Sequence, residues 1–132
     1  MILIDTSAWV EFLRDTPGEP ADTVAAALET DAAICDAISM EVLAGARDER
    51  HLAMLRGMLA RASVVPTEPA DYDHAALLYR TCRRRGETVR KITDCLIAAL
   101  AIKADLPLLC CDRDFAALAR HTDLEIHPAS NS

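Results

Sequence analysis

Four acidic residues stand where apolar runs end or where helices begin, and their types and placement are the first sign of chemistry in the sequence. Asp5 directly follows Ile2, Leu3 and Ile4, a branched apolar run that reads as a buried strand. Asp112 directly follows Leu-Leu-Cys-Cys at 108–111, which reads as another. Glu41 lies in the first turn of a helix predicted to begin with Ser39 and Met40, and Asp94 opens a helix over 93–104 whose apolar residues run nearly all round. Taken singly, each is also a natural helix cap, since a carboxylate there accepts unpaired N–H groups and gains about 0.3–1 kcal/mol from the helix dipole. Taken together they ask for another reason. Ser, Thr or Asn would cap as well without gathering negative charge, and converging carboxylates raise one another's pKa unless a cation compensates. Oxygen-only donors suit Mg²⁺ or Mn²⁺ better than zinc.

Bringing these acids together takes alternating strands and helices. Strands are predicted at 1–4, 33–35, 63–65 and 108–111, with a last one near 124–126. Helices are predicted at 7–14, 21–29, 39–46, 48–61, 71–86, 93–104 and 113–120, with a break at 16–20 and Gly86 as a left-handed cap. Such alternation predicts an α/β fold: three layers, α/β/α, around a central parallel sheet of about five strands. Sites in these sheets form beyond the carboxyl ends of the strands, near the point where strand order reverses. Only the tail, 128–132, is expected to be loose.

The 132 residues suit a single domain spanning 1–132, and a composition 52% apolar but 4% aromatic predicts a core of Ala, Leu, Ile and Val. No apolar run nears the roughly 18 residues that cross a bilayer, and the N-terminus lacks signal-peptide features, so a cytoplasmic location is expected. Cys35, Cys82, Cys95, Cys110 and Cys111 form no C-x-x-C pair and read as reduced core thiols. The net charge of -7 argues against a nucleic-acid partner, but Arg14 is the one basic residue before position 47, whereas ten of the 14 lie in 47–91. That asymmetry can make a local basic face. His51, His74, His121 and His127 read as solvated or packing residues.

The stretches IDTSAWVEF at 4–12, SMEVLAGAR at 39–47, ITDCLIAALAI at 92–102 and CCDRDFAAL at 110–118 together resemble a PIN-domain ribonuclease of the VapC type. VapC is the toxin half of VapBC toxin–antitoxin modules, and the resemblance runs over essentially the whole chain. It implies a PIN-like fold and a Mg²⁺- or Mn²⁺-dependent endoribonuclease. Asp5, Glu41, Asp94 and Asp112 match the family's catalytic, metal-binding acids, Thr6 or Ser7 its accompanying hydroxyl, and Asp114 a supporting or alternative ligand. It further implies a structured RNA substrate such as tRNA or rRNA, products with 5′-phosphate and 3′-hydroxyl ends, a VapB antitoxin and a homodimer.

Arg90 and Lys91, just upstream of Asp94, are placed by sequence to contact that RNA. With few aromatics to stack on bases, recognition would rest on RNA shape. Trp9, Phe12 and Leu13, and Val24 with Leu28, make apolar helix faces whose default use is core packing, part of which the family uses as an antitoxin groove. Three readings compete. A catalytically silent PIN-fold module would bind RNA or a partner without cleaving. A receiver-like signalling domain needs an acceptor Asp closing the third strand, which here ends Val64-Val65-Pro66-Thr67. A haloacid-dehalogenase-type phosphatase needs D-x-D after the first strand, where this chain has Asp5-Thr6-Ser7.

Overall fold

Short branched or Ala-rich runs make the strands, and longer mixed runs between them make the helices. The computed structural model describes residues 1–131. In chain order they form β1 (Ile2–Ile4), α1 (Thr6–Leu13), α2 (Glu19–Thr30), β2 (Ala32–Ile34), α3 (Asp36–Ala44), α4 (Glu49–Leu59), β3 (Ser63–Val64), α5 (Pro69–Arg84), α6 (Ile92–Ala104), β4 (Leu108–Leu109) and α7 (Asp114–His121). The strands are parallel in the order β3-β2-β1-β4, with Leu3 facing Ala33 on one side and Leu108 on the other. The expected fifth strand is a single parallel bridge between Ile126 and Leu108. Pro128 follows closely and has no N–H to extend a ladder.

The chain steps outward from β1 through β2 to β3, then returns to place β4 on the other side of β1. With right-handed crossovers, the helices of the outward path cover one face and those of the return path cover the other. Helix packing follows that division: α1 packs on α2 and α3, α3 on α4, and α5, α6 and α7 on one another. The two groups meet where α3 touches α6. Strand order reverses between β1 and β4, so the crevice rule points to the residues just after these two strands.

Leu3, Ile4, Ile34, Leu108 and Leu109 are almost fully buried in the sheet. Every residue of α6 from 95 through 101 is buried, as that unbroken apolar run requires, and Asp94 is buried with it. Four of the five cysteines are buried and Cys111 partly so, all unpaired. Among the described residues no helix is long and apolar enough to cross a membrane.

Three helices begin earlier than their sequence signals suggest. α2 starts at Glu19 with Pro20 inside its first turn, where the missing N–H is no loss. α3 starts at Asp36, so Glu41 sits in its second turn instead of its first. α5 starts at Pro69, because Asp71 reaches back 2.7 Å to the Glu68 N–H and acts from inside the helix. Its other end is as expected. Gly86 takes φ +86°, its N–H meets the Arg83 carbonyl at 3.0 Å, and the Glu87 N–H meets that of Cys82 at 3.0 Å.

The tail is not loose up to Asn131. Ala129 is buried, the Ser130 hydroxyl accepts from the Cys110 N–H at 3.1 Å, and the Asn131 N–H donates to the Cys110 carbonyl at 3.0 Å. The rest of that expectation falls on Ser132, outside the described residues.

Asp71 also accepts from Lys103 of α6 at 2.8 Å, which ties the start of α5 to the end of α6. Asp71→Ala removes the return bond and leaves the ammonium without its carboxylate, so urea denaturation should show about 2 kcal/mol less stability. A midpoint equal to that of the unaltered protein would contradict this role.

Candidate metal centre

The β1 and β4 ends are stitched together at the reversal of strand order. The Asp5 N–H donates to the Leu109 carbonyl at 2.9 Å, and the Asp5 side chain, 4% exposed, turns back to cap α1. Its Oδ2 accepts from the Ser7 N–H at 3.0 Å and the Ser7 hydroxyl at 2.5 Å. The same hydroxyl accepts from the Cys111 N–H at 2.8 Å, so one serine joins the acid after β1 to the backbone after β4. Next to it the Thr6 hydroxyl donates to Glu41 at 2.9 Å, drawing α3 to this edge. Burial raises the Asp5 carboxyl above its ordinary value; the Ser7 bonds oppose this and the Glu41 charge adds to it.

Asp94, Asp112 and Asp114 form the tightest cluster, each offering a carboxylate oxygen within 4.8 Å of the others. Asp94 is 2% exposed, and its Oδ2 is buried with no hydrogen-bond partner. Burial pushes its carboxyl up to about 8; the charge of Lys91 opposes the shift, while those of Asp5 and Asp112 and a bond with Asp114 add to it. An orphaned buried carboxylate oxygen beside a second carboxylate, with only oxygen donors around it, fits a hard divalent cation.

Asp114 differs from its neighbours. Its Oδ2 accepts from the Arg90 N–H at 3.1 Å and the Lys91 N–H at 3.2 Å, and its Oδ1 from Arg90 Nε at 3.2 Å. Burial would raise its pKa, but these bonds outweigh burial and hold it below the ordinary value. Both oxygens are thus engaged in holding the segment before α6. Asp112 accepts from the Asp114 N–H at 3.0 Å and Arg90 Nη2 at 3.4 Å, with Lys91 Nζ 3.6 Å from its Oδ2.

Asp5 and Glu41 lie outside the tight trio, yet their charges reach it. Burial works against the Lys91 ammonium, but Asp94, Asp112, Glu41 and Asp5 together keep its pKa above the ordinary value. All the acids singled out in the sequence therefore share this edge, with Asp114 nearer the centre than expected and serving as a backbone clamp.

A groove of α1, α3 and α4 adjoins Glu41 and was not visible in the sequence. Thr6 and Glu41 line it together with Arg14, Arg47 and His51. His51 is not simply solvated, since its Nδ1 accepts from the Arg47 N–H at 3.0 Å. The only available signal was the isolation of Arg14 as the lone basic residue before position 47. On the other side, Glu87 pairs with Arg120 and, at 3.0 Å, with His121 of α7, anchoring the loop that carries Arg90 and Lys91. Arg83 lies 5.6 Å from the centre of the Tyr79 ring at the exposed end of α5.

The PIN domain profile matches residues 2–121. The chain is 45% identical to the VapC ribonuclease Mb1587 of Mycobacterium bovis over 95% of this chain and 96% of that one. The same figures hold for Ribonuclease VapC11 of Mycobacterium tuberculosis. Among solved structures, VapBC2 from Rickettsia felis bound to a DNA fragment from its promoter superposes with a TM-score of 0.77 at 19% identity, covering 96% of this chain and 98% of that one.

Two outcomes follow from the bonds at this edge. Ser7→Ala leaves the Cys111 N–H without an acceptor and should lower stability by about 1–3 kcal/mol in urea; no loss would contradict the stitching role. Arg120 first, and then His121, hold the Glu87 carboxyl at about 2, below its ordinary 4.5. A depressed carboxyl contributes stability above 4.5 that fades as the pH falls toward 2. The melting temperature of Glu87→Gln should therefore trail that of the unaltered protein near neutral pH and converge with it in acid, whereas a gap that stays constant with pH would count against the pairing.

Proposed function

The chain belongs to the PIN-domain family, among the VapC ribonucleases, and from that premise we propose that it is a Mg²⁺- or Mn²⁺-dependent endoribonuclease, the toxin of a toxin–antitoxin pair. The observation that carries this reading is the buried Asp94 carboxylate, which has one unpartnered oxygen and clusters with Asp112 at the reversal of strand order. Asp94 and Asp112 would hold the ion, with Asp5 and Glu41 as the remaining acids of the site. When bound, the ion supplies Lewis acidity toward water and phosphate oxygens, so phosphodiester hydrolysis needs no side-chain base.

The protein's own groups prepare that chemistry. Ser7 fixes the Asp5 carboxylate, Thr6 orients Glu41, and Asp114 orders the backbone of Arg90 and Lys91. Arg90 and Lys91 on one side, and Arg14 and Arg47 on the other, supply positive charge for substrate phosphates flanking the acids. Those contacts address the backbone and carry no base code, and the few aromatics leave little surface for stacking, which favours structured RNA such as tRNA or rRNA. The four histidines lie at separate points of the chain, and His51, His121 and His127 are engaged in other bonds. A route through a 2′,3′-cyclic phosphate would want an acid–base pair of that kind, and the 5′-phosphate and 3′-hydroxyl ends that the family resemblance implies need none.

The likeness to solved VapBC complexes supports a VapB-type antitoxin as partner, seated along the groove of α1, α3 and α4. Exposed Tyr72 and Ile92, with Ala75, Ala76 and Leu96 between them, give α5 and the start of α6 an apolar groove suited to a homodimer contact. The unpaired cysteines and the absence of a membrane-crossing helix among the described residues accord with a cytoplasmic location.

Purified protein incubated with total cellular RNA should yield discrete fragments in Mg²⁺ or Mn²⁺, and none in EDTA or with Asp5→Asn. Cleavage that survives EDTA or the substitution would overturn the mechanism. RNA that is bound but never cut would indicate a binding module instead.

A further inference from the structure

Lys91 is fixed at its root and free at its tip. The loop leading to it leaves α5 through Gly86, is anchored on α7 by Glu87 and buries Val89 at 2% exposure. The N–H groups of Arg90 and Lys91 then converge on the same oxygen of Asp114. The Lys91 side chain, 56% exposed, extends from this anchored backbone to set its ammonium 3.6 Å from Asp112 Oδ2, close in charge but beyond a normal hydrogen bond. Arg90 behaves otherwise: it donates from Nε to Asp114 and from Nη2 to Asp112, a forked attachment to both acids.

This end of the sheet gathers Asp5, Glu41, Asp94, Asp112 and Asp114, against which, among the described residues, only Arg90 and Lys91 are set in ion pairs. Of these two cations, Lys91 is the compact, flexible and loosely held one, the kind a stronger cation can displace. We propose that Lys91 is a positioning residue, a built-in counter-cation whose ammonium steadies Asp112 beside Asp94 until a divalent ion takes its place. The proposal rests on the reading of this cluster as a metal centre. Like charges cannot share the space cheaply, so entry of the ion and departure of the ammonium are coupled. Lys91 thus keeps the acids converged without metal, at the cost of weakening metal affinity.

Calorimetric titration with Mn²⁺ tests this on the full chain. Lys91→Met should bind Mn²⁺ about three- to fivefold tighter than the unaltered protein. It should also melt at a lower temperature in EDTA and recover more on adding Mn²⁺. Lys91→Gln, closer in length and polarity, gives the same ranking should the Met variant fold poorly, and Lys91→Arg, which keeps the charge, restores the original affinity or lowers it. Lys103→Met, which breaks the ion pair with Asp71, should lose stability without altering Mn²⁺ affinity. Equal or weaker Mn²⁺ binding by the Lys91 variants would overturn this proposal alone. No Mn²⁺ uptake by the unaltered protein would overturn the metal-centre reading and this proposal with it.

Discussion

Like charge gathered where water is scarce is the constraint on which this structure turns. Asp94 begins a stretch of α6 that is buried at every position, so its carboxylate cannot relax into solvent, and one of its oxygens has no protein partner. Proteins rarely leave such a group unsatisfied, because the full desolvation cost of the charge falls on the fold. Elsewhere in the molecule a buried carboxylate is satisfied locally: Asp71 has Lys103 and a backbone N–H. The contrast between these two aspartates marks one as structural and the other as built for something else.

The fold turns that constraint into a site through its topology. Because β1 is central and the chain returns to its far side, Asp5 and Asp112 follow adjacent parallel strands, and α6 begins beside them. Short polar side chains set the fine geometry. Ser7 bridges the Asp5 carboxylate and the Cys111 backbone, and Thr6 draws in Glu41 from α3. Asp112 and Asp114, two residues apart, divide the labour: one pairs with the side chains of Arg90 and Lys91, the other holds the preceding loop by its N–H groups. In this way an unstable arrangement of acids is supported by neighbours whose own bonds are satisfied.

Much of this was legible in the sequence because its strongest signals are local. Asp5 at the end of β1, the apolar run of α6 and the left-handed cap at Gly86 depend on a few adjacent residues and stand where they were expected, whereas β4 ends at Leu109, two residues short of the expected Cys111. What escaped depends on partners remote in sequence or on a choice between local signals. Asp71 looked like the start of α5, but its return bond to Glu68 places it inside the helix, behind Pro69. Ser39 drew attention from Asp36 as the start of α3, moving Glu41 one turn inward. The polar tail looked free, yet Ser130 and Asn131 satisfy backbone groups at Cys110, just before the site. Asp114 was visible as an acid, but its clamp on Arg90 and Lys91 spans 24 residues and has no sequence signature.

The central claim, that these acids share one divalent ion, is tested most directly by anomalous diffraction from a crystal of the protein soaked in Mn²⁺. The account predicts an anomalous peak at the carboxylates of Asp94 and Asp112, with Asp5 and Glu41 alongside. A peak confined to other surface carboxylates, or an ordered and accessible cluster with no peak, would contradict it.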